Sequence, residues 1–134
     1  MNGRPTTVQL SQAVTEFKRQ SATAADAQAH AYHAKVATNL QDIVQREAVL
    51  GPAAEAAELG RLQALLSDTQ ADLPTLQQGL CEAIASGAMD LATPGLAEHL
   101  WHTALDQAAI DQPSYSTYTR HVPAMPTNQN PTRD

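Results

Sequence analysis

Two pairs of histidines, His30 with His33 and His99 with His102, stand three residues apart, the spacing that sets two imidazoles on neighbouring helical turns and invites a metal ion. Di-iron bundles add carboxylates in Glu-x-x-His motifs on each of two helices, and neither pair carries one. In helical projection His99 and His102 fall opposite Leu96, Leu100, Ala104 and Ala108, beside Asp106, so they read as solvated. Cys81, between Leu80 and Glu82 with Ile84 one turn on, reads as a small core hydrophobe; a nucleophilic thiol wants an electropositive niche. There is no glycine-rich phosphate loop, nucleophile elbow or dinucleotide fingerprint, because "GPAAEAAELG" follows a helical pattern and not a strand. No catalytic residue, metal site or cofactor is expected.

The remaining polar candidates lie in "AYHAKVATNLQDIVQREAVLGP", residues 31–52. Taking Val36 as reference, Ala29, Leu40, Ile43 and Leu50 form an apolar stripe with Glu47 close to its middle, His33 and Asn39 at its edges and Arg46 further out. A carboxylate in such a stripe has to be paired or hydrogen-bonded, since an unpaired buried charge costs several kcal/mol. Glu47 is therefore expected either to fasten helices, accepting from the first turn of the next helix or from a cation such as Arg4, Arg46 or Arg61, or to face a partner protein together with His33 and Asn39.

The elements that position these residues read as helices throughout. Pro5 with Thr6 or Thr7 opens a first helix carrying Val8, Leu10, Ala13, Val14 and Phe17. "RQSATAAD" reads as a loop. A second helix runs from about Asp26, its cap, to Leu50, with Gly51-Pro52 as its stop. A short turn then sends a third helix, "AAEAAELGRLQALLS", back antiparallel with Leu59, Leu62, Leu65 and Leu66 on one side. Asp72 or Thr75 opens a fourth with Leu73, Leu76, Leu80 and Ile84 buried and Gly87 at its end. Thr93-Pro94 opens a fifth that reaches about Ile110. The expectation is an all-α fold, a compact bundle of about five helices over residues 1–113, followed by an extended or disordered C-terminal tail over 114–134.

Composition agrees. At 134 residues the chain suits one domain, and 43% hydrophobic but only 4% aromatic residues leave Ala and Leu to fill the interior, as closely packed helices allow. A net charge of −6 with only 8 Lys+Arg argues against nucleic acid as partner. One cysteine, a polar N-terminus and apolar runs well short of the ~20 residues of a membrane span lead us to expect a soluble, cytoplasmic protein with no membrane partner.

In order and spacing, "RPTTVQLSQAVTEF", "AYHAKVATNLQDIVQREAVLGPAAEAAELGRLQALL" and "GLCEAIASGAMDLATPGLAEHLWHTALDQAAIDQPSY" resemble a bacterial family of small helical proteins of unknown function. That family is encoded beside, or fused to, phosphotransferases of the aminoglycoside/choline-kinase type, with an acyl-CoA dehydrogenase-like enzyme nearby. The resemblance covers roughly residues 4 to 118. It is carried by Arg4-Pro5-Thr6, by Val36-Ala37 with Asn39, Arg46-Glu47 and Gly51-Pro52, and by Asp111-Gln112-Pro113 with Tyr115; Lys35 and Gln112 depart from the Arg and Asn usual there. It implies a non-catalytic accessory subunit, associated as a hetero-oligomer with a kinase that phosphorylates hydroxyacyl-CoA in acid catabolism. His33, Asn39, Arg46, Glu47, Asp111 and Tyr115 are the residues expected at the partner interface or in fastening helices.

Two alternatives stand beside it. The chain could be an autonomous acyl-CoA-binding bundle or enzyme with His33, Asn39 and Glu47 lining an internal pocket. It could equally be a self-associating module, a homo-oligomer built on a small-residue face such as Ala53, Ala56 and Ala57.

Overall fold

The structure is a computed structural model, and it describes residues 4–23 and 27–122. It is all-α, with five helices and no strand among the described residues: α1 Thr7–Thr23, α2 Ala27–Leu66, α3 Leu73–Ala85, α4 Leu96–Asp111 and α5 Ser116–His121. None of them is long and apolar enough to cross a membrane.

Helix α1 opens on a reciprocal capping box. The Gln9 amide N–H donates to Thr6 Oγ1 at 3.2 Å, and the Thr6 N–H donates to Gln9 Oε1 at 2.8 Å. The helix continues through Thr23 and so takes in much of the stretch expected as loop; the expected cap of the next helix, Asp26, lies outside the described residues.

The largest departure from expectation is α2. Gly51-Pro52 does not stop it, and the helices expected on either side are one 40-residue helix with Pro52 in its interior. An interior proline lacks the N–H that would bond four residues back, here to Ala48, and costs about 3 kcal/mol relative to Ala. Packing on both sides of the break holds α2 to its course. Before it, α1 packs on α2, where Val14 and Ala37 are buried; after it, Leu62 forms a core with Leu76 and Leu80 of α3 and Leu96 of α4. Each fully buried leucine contributes about 1.5–3 kcal/mol, so that second core outweighs the proline.

Helix α4 runs antiparallel to α2 and spans the break. Near its start His99 and Thr103 meet Arg61, and near its end the Ile110 carbonyl meets Arg46. It therefore acts as a splint along α2. Its entry depends on Gly95, whose φ of +86° favours glycine and whose Cβ would stand 3.4 Å from Leu65 Cδ2 of α2. The Thr93-Pro94 start is displaced accordingly: Thr93 Oγ1 accepts from the Asp90 N–H in the preceding turn, and Gly95 is the residue before the helix.

Around α3 the expected punctuation is present. The Asp72 carboxylate accepts from the Thr75 N–H at 3.0 Å, and Gly87, at φ +77°, follows the helix end. Cys81 and Ile84, expected inside, are exposed, because α3 turns only Leu76 and Leu80 fully inward. Of the stretch expected as tail, Ser116–His121 forms the short helix α5, and residues 123–134 lie outside the description.

Substituting Pro52 by Ala restores a donor to the Ala48 carbonyl. Chemical denaturation is expected to show P52A more stable by about 1–3 kcal/mol; an unchanged or lowered stability would mean that α2 does not run through this position as one helix.

Candidate functional site

Helix α4 turns a mixed polar and apolar side inward. His99 is only 3% exposed, while Leu100 and Trp101 are 42% and 47% exposed. This corrects the reading of His99 as solvated. The expected apolar stripe included Leu96, which is buried, but a helix entering at Gly95 over Leu65 is rotated so that Leu96, His99, Thr103 and Ile110 point inward. Only His102 behaves as expected, exposed and 3.7 Å from Glu98.

Inside, Arg61 of α2 organises the start of α4. Its Nε donates to His99 Nδ1 at 3.2 Å and its Nη2 to Thr103 Oγ1 at 3.3 Å, with Asp106 Oδ2 3.8 Å away. Because Nδ1 accepts, the neutral ring carries its proton on Nε2. Burial pushes the His99 pKa below its ordinary 6.5, and the Arg61 cation pushes the same way against a smaller opposing pull from Glu58.

A second cluster closes the other end. Arg4, ahead of α1, sits between two carboxylates, with Nη2 2.6 Å from Asp111 Oδ1 and Nη1 3.7 Å from Glu47 Oε1. Thr7 Oγ1 donates to Glu47 Oε2 at 3.0 Å, and Gln107 Nε2 donates to Asp111 Oδ2 at 2.6 Å. Arg46 Nε donates to the Ile110 carbonyl at 2.6 Å. Three sequence-derived candidates, Arg46, Glu47 and Asp111, are thereby brought together, with Arg4, one of the three cations named for Glu47, as its partner.

The other three stand apart. His33 lies half-buried between α1 and α2, its ring 5.9 Å from Phe17 and 6.0 Å from Tyr32, with a buried Nδ1 that has no hydrogen-bond partner. Asn39 is exposed on α2. Tyr115 is exposed at the entrance of α5, its N–H donating to the Gln112 carbonyl. Sequence reasoning missed Thr7, Gln107 and the Arg61–His99 contact; the last had a signal, since a cation on a leucine-rich face also needs a partner.

Between the two clusters lies a cleft of about 860 Å³, walled by the start of α1, the middle of α2, the first turn of α3 and the inner side of α4. Its volume is within the range of small-molecule sites. Glu47, Glu55, Glu58 and Asp106 line it against Arg4 and Arg61, so it carries an excess of negative charge. Among the described residues no group of three or more His, Cys, Asp or Glu could hold a metal ion.

A family described as a domain of unknown function, DUF6285, matches residues 23–115, more than half of the chain. The chain belongs to the DUF6285 family. No curated protein and no solved structure matches it. The DUF6285 span includes α2, α3, α4 and all six candidate residues, whereas Arg4, Thr7 and nearly all of α1 lie outside it.

Two outcomes follow for these clusters. Because the folded protein holds the His99 pKa below 6.5, protonation favours the unfolded chain: stability is full above the ordinary histidine pKa and falls as pH drops through about 6.5 towards the folded value. Denaturation midpoints measured from about pH 7.5 down to 5 are expected to decline in the native chain and to decline less in H99Q. Glu47→Gln keeps the Thr7 hydrogen bond and loses only a partly exposed charge, so its denaturation free energy should fall by no more than about 1 kcal/mol. A collapse of the fold would show that the carboxylate carries far more than this ion pair.

Proposed function

We propose that this chain is a non-catalytic interaction subunit of a cytoplasmic phosphotransferase of the aminoglycoside/choline-kinase type that acts on hydroxyacyl-CoA. The observation that carries the interaction role is the orientation of α4. An amphipathic helix ordinarily buries its apolar side, and α4 does bury Leu96 and Ile110, yet Leu100 and Trp101 face outward while His99 and Thr103 face in. Trp101 also meets the His121 ring of α5 edge-on at 5.0 Å, so the aromatic side chain is held in place and not free. Exposed large aromatic residues flanked by apolar neighbours are the usual anchors of protein interfaces. The identity of the partner rests on the resemblance of the sequence blocks.

The cleft favours one other reading, a bundle that binds acyl-CoA by itself. Glu47 lines that cleft but His33 and Asn39 do not, so the pocket differs from the one expected. Calorimetry of the purified chain with acyl-CoA separates the two readings.

Co-expression with the neighbouring phosphotransferase is expected to give a complex that survives purification, with higher kinase activity on 4-hydroxyacyl-CoA than the kinase alone. In L100S/W101A, capture should drop at least about tenfold, as removal of a central aromatic anchor does, with circular dichroism unchanged. Full kinase activity without this chain, together with no capture, would overturn the proposal.

A further inference from the structure

Helix α2 carries two bodies that touch each other little. On the N-terminal side of Gly51-Pro52, α1 packs on α2 and on no other helix. On the C-terminal side, α2, α3 and α4 share the leucine core. The cleft lies between them, with Arg4, Thr7 and Glu47 on one wall and Arg61, Gln77 and Asp106 on the other.

Apart from α2 itself, the polar side-chain ties from the first body to the second among the described residues are Arg4 to Asp111 and Arg46 to the Ile110 carbonyl, both at the last turn of α4. The position at which α2 changes bodies is the one where its backbone ladder is weakest, because Pro52 donates no hydrogen bond and Gly51 adds backbone freedom.

We propose that Gly51-Pro52 is a hinge about which α2 bends to open the cleft, and that Arg4 and Arg46, gripping the end of α4, form the clasp that keeps it shut. This stands independently of any partner. Bending about Pro52 leaves the leucine core of the second body intact, and at the end of α4 it lifts the buried Ile110 away from α2. The two polar contacts at the end of α4 must part along with the packing of Ile110, and the Arg4–Asp111 pair is exposed enough to exchange with water and salt: the two side chains are 37% and 38% accessible. Arg61, near the start of α4, stays with its own body and serves as the fixed end. A bend of about 20°, ordinary for a proline kink, acting over the roughly 35 Å of α2 before the break displaces the far end of α1 by about 10 Å.

The chain supplies one natural probe position. Cys81 is its only cysteine and is exposed on α3, in the second body; Lys18 is exposed on α1, in the first. Spin labels on Cys81 and on K18C report the distance between the bodies by double electron–electron resonance in the full chain. The native clasp at low salt should give one narrow distribution. Adding R4A and R46A, or raising salt to about 0.5 M, should broaden it and lengthen its mean by several ångströms. P52A, by restoring the helical ladder, should suppress that lengthening at high salt. A distribution equally narrow in R4A/R46A and the native clasp, or an opening that P52A leaves unchanged, would overturn the proposal. If R4A/R46A loses helicity by circular dichroism, the salt series on the native clasp and on P52A decides alone.

Discussion

The passage of α2 through Gly51-Pro52 is the constraint on which the rest of the structure depends. A helix that ended there would send its second half back along the first, and α1 and α3 would compete for the same apolar stripe. One continuous helix sets the two stripes end to end, with room for α1 on the first stretch and for α3 on the second. Helix α4 then has a defined task, to bridge a place where α2 lacks one backbone hydrogen bond, and a bridge over a weak point must be held at both ends. Arg61 holds one end and Arg46, helped by Arg4, holds the other.

That task explains the orientation of α4. The side chains that grip an arginine are imidazole, hydroxyl and carboxylate, so His99, Thr103 and Asp106 have to face α2. Leu100 and Trp101 are left on the outside as a geometrical consequence. The same arrangement creates the cleft, since polar side chains meeting at two ends of a helix pair do not close the space between them as interdigitating leucines would.

Much of this was legible in the sequence, and the failures share a cause. The all-α class, the caps at Thr6 and Asp72, the glycine after α3 and the leucines around Leu62 follow from local rules that operate within a few residues. Glu47 was recognisable as a group in need of a cation, and Arg4 was among the named ones. Gly51-Pro52, however, is the strongest stop signal in the chain, and it is overridden by packing from helices distant in sequence, α4 from more than forty residues away. The burial of His99 was missed for the same reason: helical projection ranks faces by hydrophobicity, whereas here the decisive neighbour is an arginine on another helix.

The contact of Arg46 with the Ile110 carbonyl has one more consequence. The last turn of α4 contains no basic residue of its own, although the carbonyl end of a helix carries roughly half a negative charge and leaves four acceptors without partners. A guanidinium from α2 supplies both the charge and a donor at that end. The terminal turn of α4 thus depends on a neighbour for its electrostatic completion, and its helicity is a property of the assembled pair more than of its own residues.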